Sequence, residues 1–179
     1  MTAWLPIVTC VLGFFVLLSY YLSFRGKNKN GYTNSSLWLG LPKPFVYIAV
    51  AFQLLGAAGF LVMIISWSIH PPSGGFLGTH EAVLVIIVAV ILMASMAWAP
   101  LTMHSIENPT SWAARVGAVT SLIVTAIGSI LLVAGACEES KPRWYVMIGA
   151  ILFAIVTVLF DSVAYNSRFV KYPKTMSMG

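Results

Sequence analysis

The stretch AVLVIIVAVILMASMAWAPL, residues 82–101, carries no charged side chain. A helix needs about 20 predominantly apolar residues to cross a hydrocarbon layer of about 30 Å at about 1.5 Å per residue. A strand reading fails, because lipid offers no partner to an unpaired backbone amide and only helices or closed barrels span. The ten-residue alternation of a barrel strand is missing. Four further stretches read the same way, at 3–24, 44–67, 113–136 and 144–164. The sequence therefore predicts an all-α fold, a compact bundle of five transmembrane helices forming one transmembrane domain over residues 1–179.

Composition agrees with that stretch. The 179 residues are 59% apolar and 8% charged, with a mean hydropathy of +0.90. Soluble domains run at about 45–50% apolar and about 25% charged, so a cytosolic globule is excluded. A disordered chain needs the opposite balance, and 2 Cys do not make a disulfide scaffold.

Orientation follows from the basic residues, which are retained on the cytoplasmic side of a span. Arg25, Lys27, Lys29, Lys43, Arg115, Arg168, Lys171 and Lys174 fall on one side, whereas Lys141 and Arg143 on the other are offset by Glu138 and Glu139. The N-terminus is expected outside or in a lumen and the C-terminus on a cytoplasmic or matrix-like side. The net charge of +5 is mostly this asymmetry. It suits anionic headgroups and is not a nucleic-acid footprint. The first span has no basic residue before it and exceeds the length of a signal-peptide core, so it is expected to stay in the membrane. On this topology the sequon Asn34-Ser35-Ser36 lies inside and stays unmodified.

Turn chemistry separates the spans. Asn30-Gly31, Pro42 with Pro44, and the run from His70 to Gly75 mark breaks. Thr79 followed by Glu81, and Asn108-Pro109-Thr110-Ser111, read as helix caps. Trp4, Trp38, Trp67, Trp98, Trp112, Trp144 and Tyr145 fall near predicted span ends and are expected to anchor at headgroup depth. Cys10 and Cys137 both lie in the outer half; free thiols buried among apolar side chains are expected, with a bridge between them as the alternative.

In lipid, helices associate through close approach and occasional hydrogen bonds. Gly117, Ser121, Thr125 and Gly128 recur at three- and four-residue spacing and share one face of the fourth span. Gly56 and Gly59 do so on the second, and Ala150, Ala154 and Thr157 lead to Asp161 on the fifth. These faces suit packing within the bundle or against another membrane protein. Asp161 is the acidic residue inside a span, and a buried charge there must face protein or water. Its position near the end of the predicted span favours an interfacial carboxylate paired with Arg168 or Lys171. The alternative is a proton or cation site, with Gln53, Tyr165 or Arg168 as partner.

His70, His80 and Glu81 share one loop and have metal-ligand types without a diagnostic spacing, while His104 and Glu107 lie at the opposite face. Ordinary surface histidines are expected, with no metal and no cofactor. H-E-x-x-H, G-x-S-x-G, P-loop, C-x-x-C-H and potassium-filter signatures are missing, and no span holds a Lys for a Schiff base. No catalytic residue is identified, and a non-enzymatic protein is expected.

Trp38-Leu39-Gly40-Leu41-Pro42-Lys43-Pro44 resembles the W-x-x-G-L-x-K-P of the translocator protein family, the tryptophan-rich sensory proteins of bacteria and organelles. Trp98-Ala99-Pro100 is similar to part of that family's W-A-W-P-P run, and Val163 to Arg168 has the form of a cholesterol-contact motif, L/V-x-Y-x-x-R. The resemblance implies a bundle with a central pocket for a sterol or a porphyrin, lined partly by Trp98 and Tyr165, with Arg168 closing the motif.

Three functions follow as expectations. With no catalytic constellation and several small-residue faces, the sequence favours an accessory, structural or assembly subunit packed by its helices into a larger membrane complex, with membrane lipids and other subunits as partners and no nucleic acid. The alternative is a translocator-like binder holding a lipid, sterol or tetrapyrrole. The third is a small transporter or proton pathway using Asp161.

Overall fold

The computed structural model describes residues 4–25, 43–79, 81–141 and 143–169. Its long helices are α1 (Trp4–Arg25), α2 (Lys43–Ile69), α4 (Glu81–Glu107), α5 (Trp112–Cys137) and α6 (Trp144–Ile155). A five-residue helix, α3 (Gly75–Thr79), precedes α4. The fifth rod runs on from α6 through a π-helical stretch, Val156–Tyr165, into α7 (Asn166–Phe169). No strand occurs among the described residues. Five segments are long and apolar enough to cross a membrane, at Trp4–Ser23, Pro44–Ile69, Ala82–Glu107, Trp112–Cys137 and Trp144–Tyr165. The protein is an all-α, multi-pass membrane bundle.

These helices are apolar all round, as expected where the surrounding medium is itself apolar. Phe14, Leu54, Ile65, Ile127 and Leu159 are exposed on the outside of the bundle. In water such a surface would aggregate; in lipid it matches its solvent. The third span passes the expected stop at Leu101 and continues to Glu107. Pro100 lies inside it and removes one backbone donor, a loss that membrane helices absorb through neighbouring helices and local adjustment.

The rods close into a ring in the order α1, α2, α6 with its π continuation, α5, α4 and back to α1. Contacts are extensive between α4 and α5, α1 and α4, and α2 and α6, whereas α1 and α2 meet only slightly. The small-residue faces are used inside this ring. A Cβ on Gly59 would stand 2.6 Å from the Gly149 carbonyl oxygen, and one on Gly149 would stand 2.5 Å from that of Gly59. α2 and α6 are therefore in backbone contact. Gly56 faces Val156, Gly117 faces Leu101, and Gly128 receives Ile91. Ser121 and Thr125, on the same face of α5, are buried with their hydroxyls bonded to the Ala118 and Ser121 carbonyls.

Several local expectations need correction. Ser111 occupies the cap position of α5 but makes no side-chain cap bond, and Asn108 instead closes α4, donating its backbone N–H to the His104 carbonyl at 2.9 Å. Cys10 and Cys137 are free, yet both are exposed rather than buried. Trp4, Trp112 and Trp144 are exposed as interface anchors would be, but Trp67 and Trp98 are buried. Trp67 fills the core with Met63, Leu84 and Val146. Trp38 lies outside the described residues.

The glycine contact gives a direct test. Gly149→Ala forces α2 and α6 apart against backbone that cannot rotate away, at a cost of about 1–3 kcal/mol, and lowers the melting temperature in detergent. Gly13→Ala meets nothing within 4 Å and leaves the melting temperature unchanged. Equal melting of the two variants would contradict the close approach.

Candidate functional site

A cavity of about 240 Å³ lies between the five rods, and each contributes to its wall. The apolar lining includes Val16, Phe60, Ile91, Leu92, Leu122 and Phe153. Polar groups enter at a few points: Tyr20 from α1, Gln53 from α2, Ser95 and Trp98 from α4, Thr125 from α5, and Thr157 and Asp161 from the π-helical stretch. An apolar chamber with a few convergent polar groups is the usual form of a small-molecule site. At 240 Å³ it is smaller than the roughly 300–1,000 Å³ of drug-sized pockets.

The sequence favoured an interfacial carboxylate paired with Arg168 or Lys171; the described residues show its other neighbours. The rod carrying Asp161 continues two turns past it to Phe169, and the apolar span ends one turn past it, at Tyr165. Gln53 Nε2 donates to Asp161 Oδ1 at 3.4 Å, a long bond by the usual 2.7–3.2 Å range. Gln53 is itself nearly three turns, about 15 Å, inside α2. The carboxylate thus sits on the inner side of the ring, within the apolar span Trp144–Tyr165. Among the described side chains, no Lys or Arg forms a salt bridge with it. Lys171 and the side chain of Arg168 lie outside the described residues.

The π-helical stretch is the feature that sequence reasoning missed. Such turns are rare and concentrate at functional sites, and this one carries Thr157, Asp161 and Ser162. Two hydroxyls tie it to α5. Thr157 lies 2.7 Å from Ser129 Oγ, which donates to the Ala126 carbonyl at 2.7 Å. Ser162 donates to the Leu122 carbonyl at 2.9 Å. No residue pattern in 156–165 announces this backbone, since the hydroxyls alone read as ordinary packing polarity.

Trp98 stands in the wall edge-on to two rings, with Tyr20 at 5.6 Å and Tyr165 at 5.3 Å between centroids. Tyr165 also stacks on Phe169 at 5.9 Å. The structure therefore places Trp98 on the cavity and Tyr165 behind it, against the indole. Trp98 Nε1 is buried with no hydrogen-bond partner among the described residues, and an unmet buried donor costs about 1–3 kcal/mol.

A second polar cluster, at the far end, passed unnoticed because its residues read only as balancing charges. Arg143 grips Glu139 with two bonds, at 2.7 and 3.2 Å, and donates to the His70 carbonyl at 2.8 Å and to Ser66 Oγ at 3.2 Å. Trp67 Nε1 donates to the same carboxylate at 2.5 Å. Glu139 is buried. Nearby, Glu138 accepts from the Phe76 N–H at 3.2 Å and Ser140 N–H donates to the Ser73 carbonyl at 2.7 Å. Gly74 and Gly75 make the turn between these partners at φ +83 and +63, where a side chain would be strained. With its charges matched, this cluster is a clasp between the 70–76 and 138–143 loops. His70 is exposed beside it, and His80 and the Glu81 side chain lie outside the described residues. Among the described residues, no group of three or more metal-ligand types gathers.

The clasp predicts graded losses. Glu139→Leu strands the Arg143 guanidinium and the Trp67 N–H and destabilises the bundle by about 3 kcal/mol, read as a lower melting temperature in detergent. Glu139→Gln keeps an acceptor and loses less. A melting temperature unmoved by Glu139→Leu would show that the clasp carries no stability. A scan of family models, a search of curated proteins and a search of solved structures each returned no match to this chain.

Proposed function

We propose that this protein is a non-enzymatic membrane binder that holds a small lipophilic molecule between its five spans. The observation that carries the reading is the cavity itself, about 240 Å³ between the five spans, apolar with a few polar side chains in its wall. The apolar lining holds most of the molecule, and side chains such as Gln53, Thr125 and Asp161 orient it. The resemblance to the translocator family points the same way, toward a central pocket beside Trp98. The cavity volume favours an occupant smaller than a tetrapyrrole. The slight meeting of α1 and α2 is consistent with entry of the ligand from lipid between these two rods.

An accessory subunit is the second reading, drawn from the lack of a catalytic constellation and from small-residue faces suited to internal packing or docking; Gly56, Gly59, Gly117 and Gly128 face neighbours within this chain. In the proposed orientation the N-terminus lies outside or in a lumen, with Arg25 and Arg115 on the opposite side near anionic lipid.

Native mass spectrometry of protein extracted in mild detergent from its own membrane tests the function. The expected result is a 19.4 kDa protomer, or its dimer, with a small lipophilic adduct. Ala57→Trp, which adds bulk at an exposed position of the cavity lining, is expected to remove the adduct and leave the fold intact. Other polypeptides at fixed stoichiometry, with no adduct, would overturn the proposal in favour of an accessory subunit.

A further inference from the structure

The geometry points to a lipophilic amine as the class of molecule that the cavity takes, with its ammonium group against Asp161. The inference rests on the binding function just proposed and adds the charge of the ligand. A carboxylate kept in hydrocarbon needs a cation, a proton or several donors to offset its lost hydration. Among the described residues, Gln53 donates one long amide bond to it. The hydroxyl groups nearest along the rod are committed elsewhere, Thr157 toward Ser129 and Ser162 to the Leu122 carbonyl. An ammonium group brings both the charge and the donors that this carboxylate is short of.

The rest of the wall suits the same molecule. Tyr20 and Trp98 line the cavity as aromatic rings, and aromatic faces attract cations by about 0.5–2 kcal/mol, more so when desolvated. Phe60, Leu92 and Phe153 provide apolar contact for an aryl or alkyl portion. The required ligand is therefore amphipathic, cationic at one end and small. A free arylalkylamine and the headgroup amine of an aminolipid share this chemistry.

The test compares 4-phenylbutylamine with its uncharged counterpart 4-phenylbutanol, by calorimetric titration into protein in phosphatidylcholine nanodiscs, with empty nanodiscs subtracted. The amine is expected to bind at least about tenfold more tightly, a difference of about 1.4 kcal/mol. Asp161→Asn should erase that preference while keeping the affinity for the alcohol, which also shows that the variant is folded. Asp161→Glu should retain part of the preference. Nanodiscs containing phosphatidylethanolamine separate the two sources: competition with the amine assigns the site to an aminolipid headgroup, and its lack assigns it to a free amine.

Equal affinity for amine and alcohol would overturn the inference and leave the binding function standing. Amine binding that emerges only in Arg168→Gln would overturn it as well, because the chain would then supply its own counterion. Saturable binding of neither probe would remove the binding function itself.

Discussion

Lipid offers no hydrogen-bond partner, and every polar atom of this bundle has had to find its place under that constraint. Backbone groups meet it by becoming helical along each span. Hydroxyls meet it by returning to carbonyls one turn back, as Ser121, Thr125 and Ser129 do on α5. The charged pair Arg143–Glu139 meets it with three further partners, Trp67, Ser66 and the His70 carbonyl, at one end of the bundle. Among the described residues, the Thr9 and Thr102 hydroxyls, the Asn166 amide and the Trp98 indole N–H are buried without a partner, and the Asp161 carboxylate has one long bond; of these residues, Trp98 and Asp161 line the cavity.

Close approach of α2 and α6 sets up this arrangement. Gly59 and Gly149 let the two backbones touch, and one seam then runs from there past Gly56 and Val156 to Gln53 and Asp161. Phe52 stacks on Phe160 at 4.6 Å along the same seam. A larger residue at either glycine would separate the rods that carry the carboxylate and its amide partner. Packing and site chemistry are thus joined through one pair of residues without side chains.

The five spans were legible because uninterrupted apolar length is a strong signal in a chain with so few charges. Their inward faces were less so: helices apolar all round carry no periodicity to orient them, which is why Trp67 and Trp98 read as interface anchors and prove to be core. The third span reads as ending at Leu101, where the apolar run gives way to polar residues, and the helix continues to Glu107. Gln53 and Asp161 were visible as polar residues in spans, whereas their meeting depends on a π-helical backbone that no residue pattern encodes. The clasp at Glu139 was hidden for a similar reason, since Trp67 and Arg143 are far apart in the chain.

The central claim is that Asp161 faces inward, toward Gln53, and away from lipid. Short thiol cross-linking in lipid nanodiscs tests it most directly, with Cys10 and Cys137 first replaced by Ser. The pair Gln53→Cys with Asp161→Cys is predicted to cross-link readily, while Leu54→Cys with Asp161→Cys is not, because Leu54 is 67% exposed on the outer surface of α2. Equal yields from the two pairs, or a higher yield from the Leu54 pair, would contradict the account.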